Sequence, residues 1–485
     1  MRYDFKRSIF VLLVLVCSLV FSSAAFALPS DRSNVGLPEE AQSSHDNPTG
    51  KSANHSSTTA HKPDGNKPEG DSNDKKDKKK SDKSKEKKVD EEKKQRDFSK
   101  KDETLIRVGI ARGQDAAVMT AGDGFVVRDE STDAGLAQFK KGEVLTVSAR
   151  GRQMFLNGKA ISAKSIKVMT SDPRSSMKLS YANSPYHGHF VIRLTSDGLT
   201  VINVVGLDDY IAGVLDEEMG SDWPQEALKA QAVAARTFAM YSMKKHESDG
   251  FDVCADTHCQ VYGGIASESK SGLLAVSATR GEIMTYDDKP IYAAFHASAG
   301  GWTAGSEEAG GNAVPYLRSV RSDDMAAPNA NWRESFTVDE VTRELKSAGY
   351  NIGTLKKIEL SPLDEEKVSK HESSKDRYPS GRVKEAKFVG SLKTVAVEGT
   401  KLRWIFSLNS TRFDIRLGDE KSSKPNKSGV IEIKKPGSDK ITFNGYGFGH
   451  GMGMSQWGAY KMAAKHGYHD ILNHYYSNVS FKKLF

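Results

Sequence analysis

Between residues 28 and about 103 the chain offers almost nothing to bury, which confines folded structure to the residues beyond. From Glu69 to Lys101 there are 14 Lys/Arg and 10 Asp/Glu but a single Val and a single Phe. So little apolar surface cannot offset the conformational entropy of ordering a backbone, roughly 1–2 kcal/mol per residue. Residues 28–103 therefore read as a disordered charged linker, a soluble tether with a typical reach of roughly 50 Å. The same segments dominate the charge balance. The first 101 residues sum to +5 of the formal +7, so residues 102–485 carry only about +2. A nucleic-acid-binding domain would hold its positive charge on the folded part, so that class is excluded and no nucleic-acid partner is expected.

Residues 1–27 read as an export signal. Arg2, Lys6 and Arg7 precede an apolar run from Ile9 to Phe21, and Ala25-Phe26-Ala27 places small residues where a signal peptidase cuts. The alternative is an uncleaved anchor. Either way the protein works outside the cytoplasmic membrane, in the cell envelope or secreted, and meets the membrane only through this segment. Three cysteines exclude a disulfide-rich scaffold, and removal of Cys17 with the signal leaves Cys254 and Cys259.

From residue 104 the pattern is that of an α+β fold, with β-rich regions and a few helices flanking a substrate groove. Leu105–Ile110, Gly124–Val127, Val144–Val147 and Ile166–Met169 are short β-branched runs between turn residues. His189–Thr195 and Leu199–Val205 form a hairpin around Ser196-Asp197-Gly198. Helical spacing comes next, from Leu207 to about Met219 and from Trp223 to about Lys245. Residues 320–440 return to mostly strand-like segments with charged loops. A helix from about Ser455 to Lys465 ends at Gly467, and a shorter one lies near Ile471–Tyr476. Residues 104–485 are read as one catalytic region.

In the first of these helices Asp208 is the expected cap, and Ile211, Val214 and Leu215 form an apolar stripe. Glu218 falls within that stripe, four residues after Val214 and three after Leu215. A carboxyl on an apolar face is desolvated, which raises its pKa and suits it to general acid catalysis; the competing role is a cap or an ion pair. In the next helix Asp222 is the expected cap, and Gln231 and Arg236 are polar exceptions on an otherwise apolar or small surface from Ala230 to Tyr241. A buried guanidinium needs an anion or a ligand oxygen. Both substrate contact and an internal ion pair remain open for Arg236.

Gly445-Tyr-Gly-Phe-Gly-His-Gly-Met-Gly453 has glycine at every second position. As an extended strand it would show Tyr446, Phe448, His450 and Met452 on one face and bare backbone on the other, where a ligand or another segment approaches closely. Ser455 then caps a helix carrying Gln456, Trp457 and Tyr460. Aromatic faces beside amide donors suit a sugar polymer; the alternative is a tight structural bend. No Lys-Ser/Thr comes after the glycines, which disfavours a phosphate cradle. Cys254-Ala-Asp-Thr-His258-Cys259, with His246 upstream, leaves three readings: a zinc site, a Cys254–Cys259 disulfide, or free thiols. Four protein ligands would make any zinc structural.

Taken together, these segments resemble the stage II sporulation protein D family. The matching stretches are Asp209-Tyr-Ile-Ala-Gly-Val-Leu-Asp-Glu-Glu-Met219, Trp223–Phe238, Cys259-Gln-Val-Tyr-Gly-Gly264, Phe295-His-Ala-Ser-Ala-Gly-Gly301 and Gly447–Ala459. The resemblance implies a lytic transglycosylase acting on peptidoglycan glycan strands, preferably stripped of stem peptides, with Glu218 as the catalytic acid. It also implies one structural zinc held in the Cys254–Cys259 segment. Gln231, Arg236, His450 and Gln456 are the expected groove residues. Part of the family implies a different role, a non-catalytic wall-binding enhancer whose partner is a cell-wall amidase.

Overall fold

A computed structural model describes residues 104–172, 177–179, 184–328, 330–418 and 428–485. The export-signal and tether expectations, residues 1–27 and 28–103, lie outside the described residues. Among the described residues no helix is long and apolar enough to cross a membrane. The class is α+β, with mixed sheets and eight α-helices among the described residues.

Two sheets open the described chain. The larger has seven strands in the order Val253–Cys254, Leu105–Gln114, Gly198–Gly206, His189–Thr195, Ser165–Thr170, Phe125–Asp129 and Gly135–Phe139. The other has six, centred on Ala116–Ala121 and Val144–Arg150. Most strands bury alternate residues, as expected where one face is covered: Ile166, Val168 and Thr170 point inward while their neighbours stay partly exposed. Gly198–Gly206 differs. Its run Leu-Thr-Val-Ile-Asn-Val-Val is buried on both faces. Its one amide, Asn203, is satisfied: Nδ2 donates to the His187 carbonyl (2.9 Å) and Oδ1 accepts from the Tyr262 hydroxyl (3.0 Å).

That rigid strand runs straight into helix α1, Leu207–Glu218, with Gly206 as N-cap. Asp208 does not cap it; the side chain lies in the first turn, turned inward. Helix α2 is Gln225–Tyr241, with Pro224 as N-cap. Asp222 does not cap it either, because Pro224 already supplies the required dihedral and has no N–H to satisfy. Helix α3, Lys270–Ala278, is capped by Ser269, whose Oγ accepts from Gly272 N; it packs on α1 and α2.

Residues 331–418 and 428–446 gather around a second hydrophobic core that includes Trp332, Val341, Phe388, Phe413 and Phe443. Its sheets are Asn331–Thr337, Lys440–Tyr446 and Phe413–Leu417, and Thr394–Glu398, Glu385–Gly390, Leu355–Glu359 and Val430–Glu432. It also carries helices α4 (Val338–Ser347), α5 (Glu365–Ser369) and α6 (Gly399–Ile405). The first departs from the strand-like reading, because Thr337 and Glu340 close a capping box that starts a helix. Lys440–Tyr446, the middle strand of its sheet, returns the chain to the glycine-rich segment. Helices α7 (Gln456–Met462) and α8 (Tyr468–Tyr475) complete the helical set, with Ser455 capping α7 as expected and Gly467 serving as N-cap of α8.

Candidate active site

Glu218 is the last residue of α1. Its two acidic neighbours are occupied: the Ser269 hydroxyl donates to Asp216 (2.9 Å) and the Ser267 hydroxyl to Glu217. Among the described residues no lysine or arginine pairs with Glu218. Burial is the main cause that pushes its carboxyl up to about 7, opposed by the Gln456 amide and helped by the Glu217 charge. The carbonyl end of the helix also disfavours a negative charge there. Yet the side chain is only half-buried.

Opposite stands the start of α7. Gln456 is buried, near enough to modulate the Glu218 carboxyl, while its Nε2 has no hydrogen-bond partner among the described residues. Trp223, five residues beyond Glu218, packs with Trp457 and Tyr460 at centroid separations of 4.9 and 5.1 Å. Trp457 and Tyr460 also pack with each other at 5.3 Å, so the three rings form one aromatic cluster at the start of α7.

The glycine segment is not an extended strand. The strand ends at Tyr446, and Gly447, Gly449, Gly451 and Gly453 have φ of 82, 114, 85 and 65°. Four left-handed turnings in seven residues explain the alternation better than a bare face does, since only glycine takes such angles freely. Space is equally strict. A Cβ on Gly453 would lie 1.9 Å from the Ala294 carbonyl oxygen. The segment interlocks with residues 294–304: Phe448 N donates to Ser298 O (2.8 Å), Ala304 N to Gly451 O (2.8 Å), and Met454–Ser455 pairs in parallel with Phe295–His296.

His450 and His296 face each other across this lock, ring centroids 5.5 Å apart. His296 Nδ1 donates to the Met452 carbonyl (2.9 Å), leaving its buried Nε2 without a partner among the described residues. His450 Nδ1 accepts from Met452 N (3.0 Å), so its proton resides on Nε2. Burial and the nearby Arg382 and Arg403 charges hold both imidazoles neutral, with His296 at about 3 and His450 well below the usual range.

The expected groove residues thus separate. His450 and Gln456 lie along the glycine-rich segment and its helix. Gln231 is fully enclosed, neither amide atom bonded among the described residues. Arg236 is also fully enclosed: Nε donates to Asp208 Oδ1 (2.6 Å) and Nη1 to the Glu282 carbonyl (3.0 Å). This is the internal ion pair, and it leaves the guanidinium no face toward a groove. Sequence reasoning missed His296 as a site residue, although it lies in the Phe295–Gly301 stretch. It also missed Asp324, which accepts from Ala299 N (2.5 Å), Gly301 N (2.9 Å) and Ser455 Oγ (2.6 Å) and so ties the two halves of the lock. No local spacing signals a carboxylate satisfied by backbone amides from so far away.

The four expected metal ligands do converge. One ligand atom each from His246, Cys254, His258 and Cys259 lies within 4.8 Å of the others. Cys254 Sγ is 3.5 Å from His258 Nδ1, and Cys259 Sγ is 3.5 Å from His246 Nε2 and 3.7 Å from His258 Nδ1. Edges of about 3.5–3.8 Å are what a tetrahedron built on Zn–S and Zn–N bond lengths requires. Both thiols are free, not joined as a disulfide. Asp249 orients His246 by accepting from Nδ1 (3.1 Å), which turns Nε2 toward the cluster as metal-binding histidines require. Gln260 then ties the loop to Tyr210 in α1 and to the Ala235 carbonyl in α2.

Comparison with known proteins gives the family. The family model for stage II sporulation protein (SpoIID) matches residues 195–286. An uncharacterized protein of Brachyspira hyodysenteriae is 35% identical over 296 residues, 61% of this chain and 71% of that one. Stage II sporulation protein D of Bacillus amyloliquefaciens is 32% identical over 292 residues, 57% and 74% of the two chains. The amidase enhancer of Bacillus subtilis is 29% identical over 303 residues, 56% of this chain and 40% of that longer protein. The chain belongs to the stage II sporulation protein D family.

Proposed function

We propose that this protein is a lytic transglycosylase of the cell envelope, cleaving the bond from N-acetylmuramic acid to N-acetylglucosamine in peptidoglycan strands stripped of stem peptides. Glu218 acts twice. Protonated, it donates to the glycosidic oxygen as the muramyl C1–O bond breaks, freeing the 4-hydroxyl of the departing sugar. As carboxylate, it takes the proton of the muramyl C6 hydroxyl while that oxygen bonds to C1. The product is a 1,6-anhydro ring, no water is consumed, and the carboxyl is restored.

The observation that carries this reading is the environment of Glu218: a carboxyl raised to about 7 and the only one of three consecutive acids left without a hydroxyl partner. Hydrolytic glycosidases use two carboxylates; a single recycled one fits a site where Asp216 and Glu217 are engaged. The Gln456 amide can stabilise the carboxylate of the second half-step, and the Trp223, Trp457 and Tyr460 rings offer stacking faces; the His450 imidazole, held between Met452 and the Phe295 backbone, braces the glycine segment. The Cys254, His258, Cys259 and His246 set fits one structural zinc, which would fasten the loop against α1 and α2 away from the chemistry. Incubation with peptide-free glycan tests the reading. Wild type should release anhydromuramyl ends and Glu218→Gln none.

The relative named amidase enhancer favours one other reading, a non-catalytic modifier whose partner is a cell-wall amidase. Unchanged glycan together with faster amidase turnover would support it.

A further inference from the structure

The second core contributes one charged group whose surroundings call for a ligand. Three guanidiniums gather there, Arg403 and Arg412 both lying close enough to influence Arg382. Arg412 is neutralised by Glu365 through two bonds of 2.7 and 2.8 Å. Arg382, fully buried, donates to the Ala299 and Trp302 carbonyls (3.0 and 3.4 Å) and senses Glu308, which itself binds the Ser380 hydroxyl. Arg403, on α6, has no acidic neighbour of that kind. Only its Nε is used, donating to the Leu408 carbonyl (3.2 Å), and no carboxylate pairs with it among the described residues. Like Glu218 it is heavily surrounded by protein yet half-exposed, and burial without a counter-charge pulls it down to about 10.

Its position is fixed relative to the glycine segment. Leu408 N donates back to Arg403 O (2.8 Å), and the next carbonyl, that of Asn409, accepts from Gly449 N (3.0 Å). These bonds tie the Arg403 turn to Gly449, one residue before His450, whose ring feels the Arg403 charge. A desolvated, unpaired guanidinium is unfavourable unless an anion completes it, and its planar fork matches a carboxylate with two parallel bonds. A muramyl residue bears such a group: the lactyl ether carboxylate, an amide while the stem peptide is attached and a free anion once it is removed.

We propose that Arg403 is the receptor for that free lactyl carboxylate, beside the glycine segment, and so reads whether a strand has lost its peptides. This rests on the glycan reading above but not on cleavage. The test is equilibrium binding of the full chain to three probes: peptide-free glycan, the same strands with carboxylates converted to methylamides, and a chito-oligosaccharide, which lacks the lactyl group. Wild type should bind the carboxylate strands about tenfold or more tightly than the methylamides, as a charge-assisted pair predicts. Arg403→Gln should abolish that difference while leaving methylamide and chito-oligosaccharide binding unchanged, and Arg403→Lys should restore part of it. Equal binding of carboxylate and methylamide strands by wild type overturns the proposal alone. So does uniform weakening of all three probes by Arg403→Gln. Binding of none overturns the glycan reading as well.

Discussion

Asp208 and Arg236 form a fully buried ion pair that joins the first turn of α1 to the middle of α2, Nε to Oδ1 at 2.6 Å. Asp208 Oδ2 also accepts from Gly281 N (3.2 Å), so one carboxylate ties the chain that begins at Leu207 to the strand entering at Glu282. The helix that ends in Glu218 is thereby clamped at its far end. Truncating one partner strands the other charge in the core, so Asp208→Asn or Arg236→Gln should cost about 3–5 kcal/mol, measured by urea unfolding. Replacing both with apolar residues of similar size should recover most of that loss. A loss below about 1 kcal/mol for either single variant would show that the pair does not brace the helices.

Glu218 should reveal its strain through pH. Its folded-state pKa, about 7, lies above the ordinary 4.5. The folded state therefore holds the proton more tightly, and stability from this group is full below pH 4.5 and declines as pH rises through 7. Glu218→Gln should accordingly unfold at higher denaturant than wild type at about pH 8, by roughly 1–3 kcal/mol, with the difference vanishing near pH 4. As the proton donor, the same carboxyl predicts that cleavage rates fall on the alkaline side of about pH 7. A variant no more stable than wild type in mild alkali would mean that the carboxyl is ordinary.

Much of this was legible in the sequence. The stripe of Ile211, Val214 and Leu215 placed Glu218 correctly on its helix, and the crowd of small residues around Arg236 announced a buried helix. The Cys and His residues were found by type, although the return of His246 to Cys259 depends on a turn that spacing cannot give. Failures came where tertiary structure chose among local options. Asp208 and Asp222 are good caps by type, yet one was drawn inward by Arg236 and the other displaced by Pro224. Glycine alternation suggested a flat strand because period two is the strand period; the positive φ at Gly447, Gly449, Gly451 and Gly453 gives the same spacing a different meaning. Arg403 gave no local signal, because the proposed role rests on its having no carboxylate partner among the described residues, which only the fold can show.

The metal loop gives a separate test. Protein purified without chelator should carry about one zinc per chain, and its removal, or Cys259→Ser, should lower the melting temperature by several degrees. Metal-free protein whose mass is two hydrogens lighter would instead indicate a Cys254–Cys259 disulfide.

The glycine segment should tolerate almost nothing. At Gly453 φ is 65°, and a methyl group would meet the Ala294 carbonyl oxygen at 1.9 Å. Gly453→Ala should therefore cost about 2 kcal/mol or more and disturb the start of α7. Gly437, where a Cβ meets nothing within 4 Å, should accept Ala within about 0.5 kcal/mol. Thermal unfolding of the two variants side by side checks this; equal, small shifts would contradict the packing described.

The single-carboxyl chemistry is tested most directly by digesting peptide-free glycan in water enriched in heavy oxygen and weighing the muramyl ends. Internal attack by the C6 hydroxyl predicts anhydro ends with no label, produced by wild type and lost in Glu218→Gln. Ends that gain one heavy oxygen from solvent would mean hydrolysis, and would contradict the assignment of both proton transfers to Glu218.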